Sequence, residues 1–359
     1  MLVHSKEGIF SCTFLGYSLV NVLVSMTLGL VILAAAMQWY HVSKISHLSE
    51  KNKKEILDIG RTLFQFIRHD LQSSGYRGCR TQDQNFPIRR NFEKNGIPYK
   101  FLKTDRAVFG FTAAAGVCQQ HIPQKFCDNL LKNSDVLVIY NIPQKVNLLK
   151  HSMVNPGDAI FIQSGGRIQK NAMVLISDVQ QGDFFIANDV ENEKIFHQLG
   201  ANSTFVLSKC YKQNTEVIEL QTIAYYLGIP DRASAPRGTY SLFRSDIRQK
   251  AEEIVEGIVD FSVEYGFFES NDASLDGARE KFQYYAAAHV KPEQWALVRM
   301  VRLKIETKGE TYHGSPQRNH RWEYAFAIRN GYRISSGIGV AFSHLTYRQS
   351  QDGADGIKR

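Results

Sequence analysis

An uncharged apolar segment near the N-terminus constrains this chain more than any other feature. Residues 19–40 read LVNVLVSMTLGLVILAAAMQWY and contain no Asp, Glu, Lys or Arg. A helix of about 20 apolar residues spans the hydrocarbon core of a bilayer. The run ends in Trp39 and Tyr40, whose amphipathic rings prefer the membrane–water interface. The segment therefore predicts a single membrane-spanning helix.

The charges that flank this segment give a conflicting orientation. Lys6 is offset by Glu7 before the segment, whereas Lys44 and Lys51 follow it. The positive-inside rule alone would place the C-terminal side in the cytoplasm. This conflicts with the oxidising, periplasmic compartment in which the downstream cysteines could pair.

In an ordinary secretory signal, the small residues that mark the cleavage site follow the apolar segment. Here Gly16 precedes it, and residues 16–20, GYSLV, resemble the processing site of type IV prepilins. In that family a prepilin peptidase cuts after the glycine and methylates the new N-terminal residue. The resemblance implies a leader at 1–16, cleavage between Gly16 and Tyr17, and methylation of Tyr17. An uncleaved signal anchor is the alternative.

The fifth residue of the mature chain would be Asn21, where prepilins usually carry Glu. In the family that carboxylate is thought to pair with the terminal amine of the subunit above. Asn can accept a hydrogen bond from the amine but cannot neutralise its charge. A subunit at the fibre tip has no neighbour above, so we hypothesise a position at or near the tip.

A helical pattern continues past the membrane segment. Apolar residues recur mostly at three- and four-residue steps among charged ones, at Leu48, Ile56, Ile59, Leu63, Phe66, Ile67 and Leu71. Gly75 and Gly78 then end the pattern. We predict one helix over about 17–74, with a membrane or fibre-core half at 17–42. An amphipathic half follows at 43–78.

The remainder reads as short strands rich in Val, Ile and Phe, separated by turn residues. They fall at 108–112, 135–140, 159–163, 173–177, 184–187, 205–209, 217–226, 239–244, 259–268, 297–307 and 324–328. A short helix is predicted near 250–255. The fold class is therefore α+β: a long N-terminal helix packed on a large, mainly antiparallel β domain at 79–332. Residues 333–359 read as an extension with a mobile polar end.

Five segments in order resemble the PilW-like minor pilins of type IV pili. They are IRHDL followed by GYRGC at 67–79, SDVLV at 134–138, EGIVD with VEYG at 256–266, WALVRMVRL at 295–303, and IRN at 328–330. Together with the leader they span most of the chain to residue 330. The resemblance implies a non-enzymatic subunit of the pilus.

The cysteines suggest disulfides. Cys12 would leave with the leader, so Cys79, Cys118, Cys127 and Cys210 remain in an oxidising compartment. Three connectivities are open, and we favour Cys118 with Cys127, which leaves Cys79 with Cys210. A zinc site at Cys118-x2-His121-x5-Cys127 is disfavoured because no second ligand pair follows.

A calcium loop is a further candidate. Asp272, Ser274 and Asp276 alternate before Gly277, like the opening of such a loop. Ser274 is a weak ligand, and Gln283 stands where an EF-hand has a bidentate Glu. We favour an ordinary turn, so no cofactor is expected and calcium stays a weak alternative.

No nucleophile elbow, Walker loop or HExxH pattern occurs in the sequence, so no catalysis is expected. The formal charge of +8 arises from basic residues scattered along the chain, which does not favour direct nucleic-acid binding.

The resemblance implies storage in the bacterial inner membrane as a single-pass protein with a periplasmic domain, and later a place at the pilus tip. It implies as partners the other minor pilins, the major pilin, the prepilin peptidase, the inner-membrane assembly platform and a tip adhesin of the PilY type. Adhesion, twitching motility and DNA uptake would be outcomes of the fibre. The alternatives are a type II secretion pseudopilin of the J type and a signal-anchored binding domain for DNA or polysaccharide.

Overall fold

One helix, α1 (Leu19–Ser73), is 55 residues long and opens the described part of the chain. The computed structural model describes residues 19–78, 87–92, 103–114, 118–163, 168–230, 240–246, 251–269, 281–308, 319–328 and 345–349. The chain divides into two units, residues 1–58 and 59–359. The boundary falls within α1, so each unit contains a part of this helix.

In the first unit, the polar residues of α1 bond within the helix. Ser25 Oγ donates to Asn21 O at 2.7 Å, and Thr27 Oγ1 donates to Val24 O at 2.9 Å. Such bonds satisfy hydroxyl groups without water, as a membrane interior requires. The sequence is otherwise rich in Leu, Ala and Met, which favour helix. The hydroxyl groups of Ser25 and Thr27 are therefore already paired within the helix.

The second unit is built from strands. They are β1 (Ile88–Arg90), β2 (Val108–Thr112), β3 (Asp135–Leu148), β4 (Ile160–Phe161), β5 (Met173–Ser177), β6 (Gly182–Ile186), β7 (Asp189–Glu191), β8 (Lys194–Phe196), β9 (Glu216–Gly228), β10 (Tyr240–Asp246), β11 (Ala251–Glu269), β12 (Lys281–Ala286), β13 (Met300–Thr307), β14 (His320–Ala327) and β15 (Leu345–Gln349). Strands β13 and β14 alternate strictly between buried and less buried residues, as the two-residue period of a strand requires.

Twelve of these strands form one sheet, in the order β1-β6-β5-β9-β10-β11-β13-β14-β15. Strand β12 pairs with β11, and β2 pairs with β3, which in turn pairs with β9. Neighbours are antiparallel except β1 and β6, which are parallel. A separate three-stranded sheet has the order β4-β8-β7.

Strand β9 organises this sheet. Its pairing with β3 runs from Tyr226 opposite Val136 to Glu216 opposite Leu148. Its first half also pairs with β5 and its second half with β10. Because a strand has only two edges, β5 and β10 share the edge that β3 leaves free. Both halves of the sheet thus depend on one central strand.

The last four turns of α1 pack on this sheet. Leu63, Ile67 and Leu71 recur at four-residue steps and are at most 1% exposed. They form the buried stripe of an amphipathic helix. On the same stretch, the Phe64 ring lies 5.5 Å from that of Tyr324 and 5.3 Å from that of Phe326. The C-terminal part of α1 is therefore an integral layer of the second unit.

Other apolar groups complete the core. Two short helices, α2 (Cys118–His121) and α3 (Gln124–Cys127), pack with residues of β2, β3, β9 and β10. Residues 149–217 build another cluster around Val174, Ile176 and Phe185. Two 3-10 helices, Ala287–His289 and Pro292–Leu297, lie between β12 and β13 and bury Trp295.

The predicted α+β class is confirmed, and the strand predictions at 108–112 and 173–177 match in both bounds. The helix predicted near 250–255 is wrong, because residues 251–255 begin β11 and pair with β10. Residues 205–209 do not form a strand. Residues 345–349, assigned to the extension, form β15 against β14. The predicted helix start at Tyr17 lies outside the described residues.

Candidate functional site: the apolar surface of helix α1

Residues Leu19–Leu48 of α1 form a 30-residue span that is long and apolar enough to cross a membrane, and its most apolar 18-residue window has a mean hydropathy of 2.3. Its large side chains are exposed, for example Leu19 at 78% and Ile32 at 68%. Soluble proteins rarely expose so large an apolar surface. Lipid, or apolar helices of neighbouring subunits, would cover it.

The predicted processing residues precede this surface in the sequence. Gly16 and Tyr17 fall outside the described residues, so the leader stays a prediction. Asn21 lies on the exposed first turns of α1, and its backbone carbonyl accepts the Ser25 hydroxyl. At this position the chain therefore offers an uncharged amide where prepilins usually have a carboxylate.

A second feature lies in the second unit, where α1 is joined to the sheet by a buried carboxylate. Asp70, 2% exposed, accepts hydrogen bonds from Tyr225 Oη at 2.6 Å and from Arg244 Nε at 2.8 Å. Arg244 Nη2 adds a longer contact to the other carboxylate oxygen at 3.3 Å. One carboxylate thus joins α1, β9 and β10, and we call these three residues the Asp70 clamp.

The electrostatics of the clamp fix its protonation. Burial and the neighbouring Asp70 carboxylate raise the pKa of Tyr225 far above its usual value. Burial would lower the pKa of Arg244, but the hydrogen bond and charge of Asp70 outweigh it and raise that pKa. Tyr225 therefore stays a neutral donor and Arg244 stays charged. The clamp therefore holds α1, β9 and β10 together.

The turn after α1 docks on β3. Gly75, with φ of 67°, donates its N–H to Tyr140 O at 2.9 Å, and Tyr76 donates its N–H to Asn141 O at 3.1 Å. The Tyr76 hydroxyl donates to Glu216 Oε2 at 3.0 Å. A positive φ suits glycine, which gives a physical reason for the GYRGC segment. Cys79, the end of that segment, lies outside the described residues.

The cysteines are only partly paired in the structure. Cys118 and Cys127 form a disulfide with their Cα atoms 5.9 Å apart. Because both sulfurs belong to the disulfide, neither is a thiolate that could bind zinc at the Cys118, His121 and Cys127 site. Cys210 is a free, exposed cysteine, and its Sγ lies 3.2 Å from Val154 O. Its predicted partner Cys79 lies outside the described residues, so the bridge of Cys79 with Cys210 stays a prediction.

The calcium candidates Asp272, Ser274 and Asp276 lie outside the described residues. Among the residues that the structure does describe, no group of three His, Cys, Asp or Glu side chains is placed to hold a metal ion. The calcium alternative therefore stays untested.

A shallow cavity of about 400 Å³ is lined by Phe196, His197, Leu199 and Phe205, among others. The Nε2 atom of the buried His197 lies 2.8 Å from the backbone oxygen of Asp158. Burial lowers the pKa of His197, partly opposed by hydrogen bonds to Asp158 and Phe205 and by the charge of Asp183. The ring is therefore neutral, and it packs at 5.4 Å from Phe185. This is the environment of a structural histidine.

The Asp70 clamp was not predicted from the sequence. A signal was present, because Asp70 follows Ile67 by three positions and falls on the apolar stripe of α1. A carboxylate on the buried face of a helix requires a partner. Its partners Tyr225 and Arg244 are 155 and 174 positions away, and no local pattern connects them.

Comparison with known proteins adds one finding. Residues 231–330 match the family model for PilW, type IV pilus-assembly protein W. The match covers 100 of the 359 residues, from β10 to β14. No curated protein and no solved structure matches the chain.

The match supports a PilW-like protein of the type IV pilus, involved in its assembly. It includes three of the five segments named above, EGIVD with VEYG, WALVRMVRL and IRN, and it excludes the leader. The apolar helix Leu19–Leu48 is consistent with membrane anchoring of such a protein.

Proposed function

We propose that this chain is a minor pilin that is stored in the inner membrane and primes assembly of the type IV pilus. One combination carries the proposal: a PilW match in the strand-rich domain, and an exposed apolar helix at the start of the same chain. A pilus subunit uses such a helix at two stages. It anchors the subunit in the membrane before assembly and packs among other helices in the fibre.

The role is templating and not catalysis. The helix offers neighbouring subunits an apolar surface, and the sheet domain offers side surfaces and sheet edges. The partners are the other minor pilins, the major pilin, the prepilin peptidase, the assembly platform and a PilY-type tip adhesin. The domain lies in the periplasm before assembly and at the cell surface afterwards.

We infer from Asn21 that the subunit lies at or near the tip. A charged terminal amine of a subunit above would find no carboxylate at this position, and a tip subunit has no subunit above it. We expect Asn21→Glu to move the protein away from the tip, or to change how often it enters fibres. Counting labelled subunits along sheared pili, with Ser25→Ala as the control for a change on the same helix face, measures both. An unchanged distribution would remove the support for the tip position.

The test of the function itself is the N-terminus of the protein purified from membranes. We expect a mature chain that begins at a methylated Tyr17 and that appears only in cells with the prepilin peptidase. N-terminal sequencing and intact mass measure both features. A chain that keeps residues 1–16 in both strains contradicts the proposal and indicates a signal-anchored binding domain.

A correctly processed chain also fits a type II secretion pseudopilin of the J type. The two are separated by a deletion strain. Loss of surface pili with normal protein secretion supports the minor pilin, and the reverse pattern supports the pseudopilin. Recovery of the protein from sheared pili gives a second, independent measurement.

A further inference from the structure

The segment 118–127 lies over an apolar part of the sheet domain, and we call it the cover. It consists of α2 and α3, four residues each, joined by the Cys118–Cys127 disulfide. Its buried side chains are Cys118, Ile122 and Phe126, which are at most 5% exposed. The ring of His121 adds contacts to the aromatic side chains of β2.

The surface beneath the cover is rich in aromatic residues. It consists of Phe111, Val136, Val138, Tyr140, Ala224, Tyr226 and Phe243, on four strands. The Tyr226 and Phe243 rings stack with their centroids 5.7 Å apart. All seven residues are buried in the folded domain. Without the cover, this group would be one contiguous apolar patch of the kind that binds other proteins or aggregates.

The cover has little secondary structure to hold it in place. Helices shorter than about 12 residues are marginal in water, and α3 begins at Pro123 without a side-chain cap. The backbone bonds Ile122 N to Cys118 O and Phe126 N to Pro123 O stay inside the cover. Backbone bonds to the sheet follow it, such as Leu131 N to Leu227 O at 2.9 Å. Side-chain packing and the disulfide therefore contribute to holding the cover in place.

We propose that the Cys118–Cys127 disulfide is a redox-sensitive fastener, and that its reduction releases the cover and exposes the aromatic patch. A disulfide restricts the freedom of the segment that it closes, and here that segment is the whole cover. The oxidised domain then keeps the aromatic patch buried, whereas the reduced domain exposes it. This inference stands on the domain itself and does not depend on the proposed pilus function.

The reduction is an ordinary thiol–disulfide exchange with a dithiol. A thiolate of the dithiol attacks Cys127 Sγ, the less buried sulfur, and Cys118 leaves as a thiolate that takes a proton. The second thiol of the reagent attacks the mixed disulfide and releases the Cys127 thiol. The protein gains two electrons and two protons, and the dithiol becomes a cyclic disulfide.

The test is hydrogen–deuterium exchange on the full chain in detergent, with Cys12, Cys79 and Cys210 replaced by serine so that one bond is under test. After reduction with dithiothreitol, we expect amides of residues 118–131 to exchange at least about tenfold faster, while β5 and β6 keep their protection. Binding of an apolar dye should rise in parallel. Adding Cys118→Ser and Cys127→Ser should reproduce the reduced state, and reduction of the folded protein answers the question even if that variant does not fold.

Two outcomes overturn the inference. Unchanged exchange at 118–131 after verified reduction would show that packing alone holds the cover. Loss of protection in β5 and β6 together with the cover would show that the disulfide supports the whole domain and is no local fastener. Ile122→Ala in the oxidised protein is the matched packing control, and it should accelerate exchange less than reduction does.

Discussion

Arg244 on β10 pairs with Asp70 on α1 across 174 positions of sequence, with Nε 2.8 Å from Oδ2. The Asp70 side chain is 3% exposed and that of Arg244 is 21% exposed, so water screens the pair only weakly. Tyr225 donates to the same carboxylate oxygen. The pair therefore ties the end of the helix to the centre of the sheet.

Asp70→Asn should strongly destabilise the domain. The substitution removes the negative charge and leaves the Arg244 guanidinium half-buried beside a neutral amide. Removing one partner of a buried pair costs about 3 to 5 kcal/mol, and we expect the lower end because Arg244 keeps some exposure. Urea unfolding followed by circular dichroism measures the free energy of unfolding.

Asp105→Asn is the matched control. Asp105 also pairs with an arginine, Arg106, at 2.8 Å, but its side chain is 56% exposed. An exposed pair contributes at most about 1 kcal/mol. Equal losses for the two variants would show that burial does not distinguish the clamp.

Gly110→Ala should disrupt the packing of β2 against β11. A Cβ at Gly110 would lie 1.9 Å from Oη and 2.4 Å from Cζ of Tyr265, whose ring is buried. Overpacking of this kind costs about 1 to 3 kcal/mol or more, and we expect the upper end. Gly157→Ala is the control, because there the Cβ meets the half-exposed, movable Phe205 ring at 3.1 Å. A thermal unfolding midpoint that falls equally in both variants would contradict the prediction.

His197 should make the domain less stable in mild acid. Its pKa is lowered in the folded state from about 6.5, chiefly by burial, so the unfolded chain binds the proton more tightly. This contribution to stability is present above pH about 6.5 and is lost as the pH falls through the folded pKa. The free energy of unfolding should decline between pH 7.5 and 5.5, and less steeply in His197→Gln. His151→Gln, on an exposed histidine, should keep the slope of the unmodified protein.

Thiol labelling should distinguish the cysteines. Under native conditions iodoacetamide should modify Cys210, which is free and exposed. Cys118 and Cys127 should be recovered in disulfide-linked peptides after digestion without reduction. Peptide mass spectrometry measures both. Recovery of Cys210 linked to Cys79 would support the bridge predicted from the sequence.

Helices and strands with a strong hydrophobic periodicity could be predicted from the sequence. The apolar run and the stripe through Leu63, Ile67 and Leu71 predicted α1 to within one residue at its C-terminal end. Strands such as β2 and β5 were found because they combine Val, Ile and Phe with flanking turn residues. The α+β class followed from these local patterns alone.

The errors arose where tertiary pairing decides the structure. Residues 250–255 have a helical composition, but Glu252 and Glu253 lie opposite Arg244 and Phe243 of β10 and extend β11. Residues 205–209 are rich in apolar side chains, yet Ser208 bonds instead to the buried Asp183. Likewise the Asp70 clamp depends on residues far along the chain, which no local pattern specifies.

The long sequence separation between α1 and the strand residues that it contacts has a consequence for biogenesis. Tyr324 donates to Gly60 O from 264 positions away, and Arg244 reaches Asp70 from 174. Contacts between such distant positions close slowly in folding. In the proposed periplasmic pilin, Leu63, Ile67 and Leu71 would remain without their sheet until β9, β10 and β14 have been exported. The interval before the C-terminal strands arrive is therefore when this apolar stripe would need a holdase.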